Sequence, residues 1–413
     1  MITNLDKRIL RKKLQFQNRI SKVPILGATY FFNFTEEGER LKNMLLHKKI
    51  SKYPDIEFKV TRDIKPTEAD LKLTKRLLIA YKKSILDSNM SSREDMWTFL
   101  AKGPHRNFFE LLKKENIQEI AFYLCNMSRM EITHGITQGK IEFNKIKSDS
   151  VYKKWLGLFT LSKVISLAEA LGVIPLEGPE QGEFGAVIHS NVNKIIKKIE
   201  DFLRISIFPP EVEGGLYKLV TKSGRLHSRD VTSLYTAWKC RELLKDIKNP
   251  SVCEIGAGIG KTAYYSNLFG IEQYTIIDLP YINILQGFYL IKSLPRKNIY
   301  LYGEKILDKN SILIFPDFSF SKISGKVFDL SLNQDSFPEI DRETVLNYLT
   351  LIKLHTKKLF LTINQEAQHT MMVSNLKQHF IPELISQSKG FKKIHRIQYW
   401  LRIGYVEELY EIS

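Results

Sequence analysis

The chain is short of what several protein classes require. Its greasiest stretch, Leu156 to Leu176, is broken by Lys163 and Glu169 and fails as a membrane span. The start of the sequence is basic but lacks the apolar run of a signal peptide. Only three cysteines occur, Cys125, Cys240 and Cys253, and their odd number and wide spacing make neither a disulfide framework nor a zinc cluster. Glycine (22) and proline (14) are too few for a collagen-like or disordered chain, and no internal repeat is visible. No basic block alternates with aromatics as in a single-strand binding platform, so nucleic acid is the disfavoured partner. A reducing cytoplasm is the expected compartment, with peripheral contact at the inner face of a membrane left open.

What is present is a globular composition, 43% hydrophobic and 26% charged. A length of 413 residues exceeds what one core usually serves, so two domains are expected. The 62 Lys and Arg against 45 Asp and Glu leave a net +17, which favours anionic partners such as phosphate-bearing molecules. A solvated lysine-rich surface accounts for the same number. Oligomeric state is not legible.

Residues 1–205 read as a mainly helical N-terminal domain. Apolar residues recur at three and four spacing from Glu68 to Leu86, and Lys153–Leu171 and Lys194–Leu203 repeat the pattern. Ser206 to Gly224, punctuated by proline and glycine, reads as a linker or lid. Residues 206–413 form the second domain. There, strands at 252–255, 273–277, 299–302, 312–315, 328–332 and 358–363 alternate with helices, and 391–401 and 405–410 read as a terminal pair turned at Gly404. Such alternation predicts a parallel sheet covered by helices on both faces.

The most informative run is Val252 to Lys261, in which a strand enters a turn holding Gly256, Gly258 and Gly260. Glycine permits positive φ and close approach of a ligand to the backbone. Dinucleotide enzymes place their third glycine one position later and grip a pyrophosphate there. Here the spacing is G-x-G-x-G and an acid, Glu254, ends the strand. That suits S-adenosylmethionine (SAM), which carries an ammonium and no phosphate. Asp278 ends the next strand, where a carboxylate accepts both ribose hydroxyls, and Leu279 follows it.

The stretch VCEIGAGIGKTAYYSNLFGIEQYTIIDLP resembles the donor motif of bacterial sugar O-methyltransferases associated with surface polysaccharide and lipopolysaccharide gene clusters. HSRDVTSLYTAW (227–238), FDLSLNQDSFPEI (328–340) and LFLTINQEA (359–367) are similar to further blocks of that family, in the same order. The resemblance spans roughly residues 195 to 413. It implies a Rossmann-like methyltransferase domain, with a mostly parallel seven-stranded sheet and a closing antiparallel hairpin. It also implies SAM as donor and a sugar or glycan hydroxyl as acceptor.

Within that frame the donor-binding candidates are Glu254, Gly256, Ala257, Gly258, Gly260, Asp278, Leu279, Asp317, Asn333, Tyr235 and Arg229. A neutral hydroxyl is a poor nucleophile, so a general base is expected. Asp335 is the first candidate, as base or acceptor anchor. Glu339 competes as a helix-entry acid and His227 as a base or a capping residue. Asn364, Glu366 and His369 follow the fifth strand and are candidate acceptor ligands; no metal is assigned. Two other readings compete: methylation of a small non-sugar metabolite, or a degenerate SAM-binding or scaffold protein.

Overall fold

The computed structural model describes residues 56–88, 95–176, 192–366, 368 and 377–413. Of the sequence candidates, His369 lies outside them. The first half is helical: α1 (Glu68–Asp87), α2 (Met96–Lys102), α3 (Arg106–Lys114), α4 (Ile117–Cys125), α5 (Gly139–Ser148), α6 (Ser150–Ala170) and α7 (Val192–Leu203). Side chains close the orphan amides at several starts: Thr67 and Asp70 form a capping box on α1, and Asp95, Asn116 and Asp149 cap α2, α4 and α6. Helix α6 is buried on most of its circumference, which puts even its polar residues inside.

A small antiparallel sheet joins distant parts of the chain. Its strand β1 (Glu57–Val60) pairs with β2 (Tyr217–Val220), which pairs with β3 (Arg225–Leu226). The segment that reads as a linker in sequence therefore carries one strand, β2, and leads directly into β3.

The second half contains β4 (Ser251–Ile255), β5 (Gln273–Asp278), β6 (Ile299–Leu301), β7 (Ile312–Pro316), β8 (Phe328–Gln334), β9 (Thr356–Gln365), β10 (Phe391–Gln398) and β11 (Tyr405–Ile412). Between them lie α9 (Lys261–Leu268), α10 (Pro280–Ser293), α11 (Arg342–His355) and α12 (Ile381–Gln387), with α8 (Ser228–Leu244) preceding β4. The sheet order is β10-β11-β9-β8-β4-β5-β7-β6. Strands β4 to β9 pair in parallel, and β11 runs antiparallel to both β9 and β10. This is the expected Rossmann-like sheet with its closing hairpin, widened to eight strands because the short β6 adds an edge beside β7.

Chain order reverses between β5 and β8, on the two sides of β4, and an open sheet keeps its ligand crevice at the carboxyl ends of such strands. One apolar core runs from the helical half into the sheet, through residues such as Leu124, Ile165, Ile276 and Leu332. Helices α1 and α10 meet at Gly287, where any Cβ collides with Leu77. Among the described residues, no helix is long and apolar enough to cross a membrane.

Candidate active site

After β4 the backbone turns through Gly256, Gly258 and Gly260 at φ 76°, 57° and 90°. A side chain in this left-handed region costs roughly 1–2 kcal/mol. Space is also short. A Cβ at Gly256 collides with Ser336, and one at Gly260 stands 2.9 Å from Leu290 Cδ1 on α10. Packing thus accounts for two of the glycines. Gly258 is looser, with Ile136 Cγ2 at 3.3 Å.

Asp278, at the end of β5, is held against this turn. Its Oδ2 accepts from the Ala257 amide (3.0 Å) and Gln286 Nε2 (2.7 Å), and its Oδ1 from the Leu279 amide (2.8 Å). Gln286 also donates to the Gly258 carbonyl (3.0 Å), so one α10 side chain locks turn and acid together. Nothing local in the sequence marks Gln286 for that task. Burial, with help from Asp317, pushes the Asp278 carboxyl up to about 7. Burial also lifts Glu254 to about 7, with the Asp278 charge adding to it, while Tyr274 donates to Glu254 Oε2 at 2.8 Å.

These residues form one wall of a cleft enclosing about 1010 Å³ of atom-free space, partly open to solvent. Gly256, Ala257, Gly258, Glu254, Asp278 and Leu279 all line it; Gly260 sits just behind, at the start of α9. The helical half supplies the facing wall through Asp95, Trp97 and Gly135 to Thr137. Arg229 and Asp335 also line the cleft.

Asp335, at φ 58°, is the hub of a charge cluster. Its Oδ2 accepts from Arg229 Nη1 (2.6 Å) and Arg402 Nη1 (2.9 Å), and its Oδ1 from the Tyr405 hydroxyl (2.5 Å). Burial alone raises its pKa, but Arg402 and Arg229 outweigh burial and hold the carboxyl well below the usual range. A carboxylate so held is a weak base. Of the two roles expected for Asp335, base or acceptor anchor, its pairing with two arginines fits the anchor better. Glu339 behaves oppositely. Burial, and then the neighbouring Asp335, push it up to about 8, and its carboxyl has no hydrogen bond among the described residues.

His227 caps α8: its Nδ1 accepts from the Arg229 amide (3.2 Å), and its own amide donates to Asp230 (2.7 Å). Burial, and then Lys261, depress its pKa, so the ring is neutral. With Nδ1 accepting, the proton sits on Nε2, which makes that edge a donor.

Four other candidates are occupied elsewhere. Tyr235 is 2% exposed and donates to Glu407 (3.0 Å), away from the cleft. Asn333 donates to the Ile255 carbonyl (3.0 Å) and Ser336 (2.6 Å), clamping β8 to the end of β4. Asn364 donates to Asn333 Oδ1 (2.9 Å) and ties β9 to the same clamp. Glu366 makes two 2.6 Å bonds to Arg396 on β10. Polar residues at strand ends here join strands. Asp317 begins a 3₁₀ turn beyond β7, and β5–β7 pairing sets Pro316 beside Asp278. Among the described residues, no three His, Cys, Asp or Glu side chains gather as metal ligands.

No family model and no curated protein matches the chain. Several solved structures are similar to it over less than half of its length. A protein from Pyrococcus horikoshii OT3 is 12% identical over 45% of this chain and 92% of its own, with a TM-score of 0.34. The glycopeptide N-methyltransferase complexed with sinefungin is 13% identical over 44% and 94%, with a TM-score of 0.34. Magnesium protoporphyrin IX methyltransferase from Synechocystis PCC 6803, with bound SAM, is 13% identical over 45% and 82%, with a TM-score of 0.31.

Proposed function

We propose that the cleft binds SAM and that the chain transfers its methyl group to a hydroxyl of a sugar. One observation carries the donor half of this reading: Glu254 and Asp278 are raised carboxyls beside the glycine turn, and neither has a cationic partner among the described residues. At three other buried acid sites the fold supplies one. Asp230 and Glu213 share Lys261 (2.5 and 3.0 Å), Asp335 takes two arginines, and Glu407 takes Lys239 (2.9 Å).

Two unpaired acids in a cleft are costly to ionise. A ligand bringing an ammonium and a pair of ribose hydroxyls offsets that cost. A pyrophosphate in the same place adds to it. The residues present therefore fit SAM better than a dinucleotide. Asp278 would take the ribose and Glu254 the amino group, while the side-chain-free turn admits the nucleoside and Leu279 and Ile282 offer it apolar surface. Bound there, SAM supplies an electrophilic methyl on a sulfonium.

The chain itself must align the acceptor and take its proton. Alignment in a near-attack pose supplies ~7–11 kcal/mol of the barrier. The wall shared by Asp335 and Arg229, fixed by their ion pair, is rigid enough to serve. Of the three candidate bases, Glu339 alone has a raised carboxyl without a hydrogen bond among the described residues, and Ser336 and Ile340 of the same loop line the cleft, so Glu339 is proposed to take the acceptor proton. The sugar hydroxyl follows from the sequence resemblance. Incubating the protein with tritiated SAM and a panel of sugars, sugar phosphates and non-sugar metabolites tests it. Label on a sugar supports the reading, and label confined to non-sugars refutes it.

A further inference from the structure

A second cavity, of about 670 Å³, adjoins the cleft and shares Thr137 and Arg229 with it. Lys163, from the middle of the buried helix α6, lines it and is only 5% exposed. Its ammonium has no hydrogen bond or ion pair among the described residues; its neighbour is the Phe159 ring, 4.6 Å away at the centroid. A cation buried without a counter-charge is costly, and a solitary aromatic ring offsets only part of that cost. Burial first, and then Arg402 and Arg229, pull its pKa well below the usual lysine value.

The carboxylates among the described residues do not neutralise it. Asp335 is shared between two arginines. Glu142 lines the cavity, but burial lifts it to about 7 and it accepts from the Tyr152 hydroxyl at 3.2 Å. A second polar group lacks a partner: Thr137 Oγ1 is buried and unbonded on the wall shared by the two cavities. Arg229 and Arg402, both lining the chamber, outnumber the one carboxylate they share, so among the described residues the chamber offers Lys163 no counter-charge, and it has an open hydroxyl contact at its mouth toward the donor cleft.

We propose that this chamber holds the methyl acceptor, and that Lys163 binds an oxyanion group on it, a carboxylate or a phosphate, while Thr137 contacts a hydroxyl facing the donor cleft. The acceptor role rests on the methyltransferase reading; the binding of an anion does not.

Calorimetric titration of the full chain with glucuronate, glucose 6-phosphate and neutral glucose tests the proposal, with S-adenosylhomocysteine (SAH) titrated separately. One of the two anions is expected to bind at least about tenfold more tightly than glucose, and which one does so identifies the group. Lys163→Met is expected to remove about tenfold or more of that affinity, to leave SAH affinity unchanged, and to melt no lower than the parent. Lys163→Gln serves the same purpose if the methionine variant does not fold. Equal binding of glucose and both anions, no sugar binding at all, or anion affinity indifferent to position 163 overturns the chamber proposal. Loss of SAH binding in the unmodified chain overturns the donor reading instead, so the two failures are distinct.

Discussion

Arg229, near the start of α8, and Asp335, just beyond β8, form a 2.6 Å ion pair between parts of the chain 106 residues apart. Arg402 and Tyr405, from the hairpin end, close on the same carboxylate. Three separate elements are thereby fixed at the mouth between the two cavities.

Removing the hub is expected to destabilise the fold. Asp335→Ala leaves two arginines facing each other. Breaking a buried pair costs ~3–5 kcal/mol, and partial exposure of Arg229 brings the expected loss nearer ~2 kcal/mol. The pH dependence has a definite sign. The folded carboxyl is held below its unfolded value, so its contribution is present above about pH 4 and fades as the pH falls further. Urea melts between neutrality and acid are expected to show that decline in the parent and a flatter limb in Asp335→Asn.

Donor binding should depend on pH in the opposite range. Asp278 and Glu254 are raised to about 7, so they favour the protonated folded state and lose that contribution as the pH climbs from about 4 toward 7. A ligand that needs both ionised gains affinity over the same climb. SAH is expected to raise the melting temperature more at pH 8 than at pH 5.5. Its binding near pH 6.5 should release protons, read as a buffer-dependent calorimetric enthalpy. A pH-independent shift contradicts this.

Glu339→Gln separates chemistry from binding. Removing a general base typically costs 10²–10⁴-fold, roughly, in rate, so kcat should fall in that range while SAH affinity stays put. The parent's kcat/KM should climb with pH toward a limb near 8, and the variant should lack that limb. The measurement uses whichever acceptor the radiolabel screen identifies.

The glycines should differ in cost. Gly260→Ala meets both a left-handed φ of 90° and Leu290 at 2.9 Å, whereas Gly258→Ala meets φ 57° and a neighbour at 3.3 Å. Thermal melts are expected to show Gly260→Ala as the larger loss, and Leu290→Ala in the same chain to recover part of it. Equal losses would mean that helix packing is not what position 260 serves.

The sheet and the glycine-turn wall of the cleft were legible because their signals are local. Strand, turn and helix succeed one another around Gly256, and Asp278 ends a strand that pairs directly with β4. The second cavity was not legible. Lys163, Thr137 and Arg402 come from distant parts of the chain and become neighbours only through the tertiary fold, as Gln286 and Asp278 do on the other side of the cleft. Nothing distinguishes Lys163 in sequence beyond its place in an apolar helix, where it served only as an argument against a membrane span. Tyr235, Asn333, Asn364 and Glu366 are ambiguous in sequence for a related reason. A polar residue near a strand end looks the same whether it meets a ligand or another strand, and here each has a protein partner.

The most direct measurement is calorimetric titration of SAH into the intact chain and into Asp278→Ala. The account predicts one site per chain in the parent and affinity weakened by about tenfold or more in the variant, since charge-assisted hydrogen bonds contribute roughly 1.5–3 kcal/mol each. No heat and no thermal shift with the parent at about millimolar ligand, weaker than the ~4 kcal/mol of a millimolar complex, would contradict it.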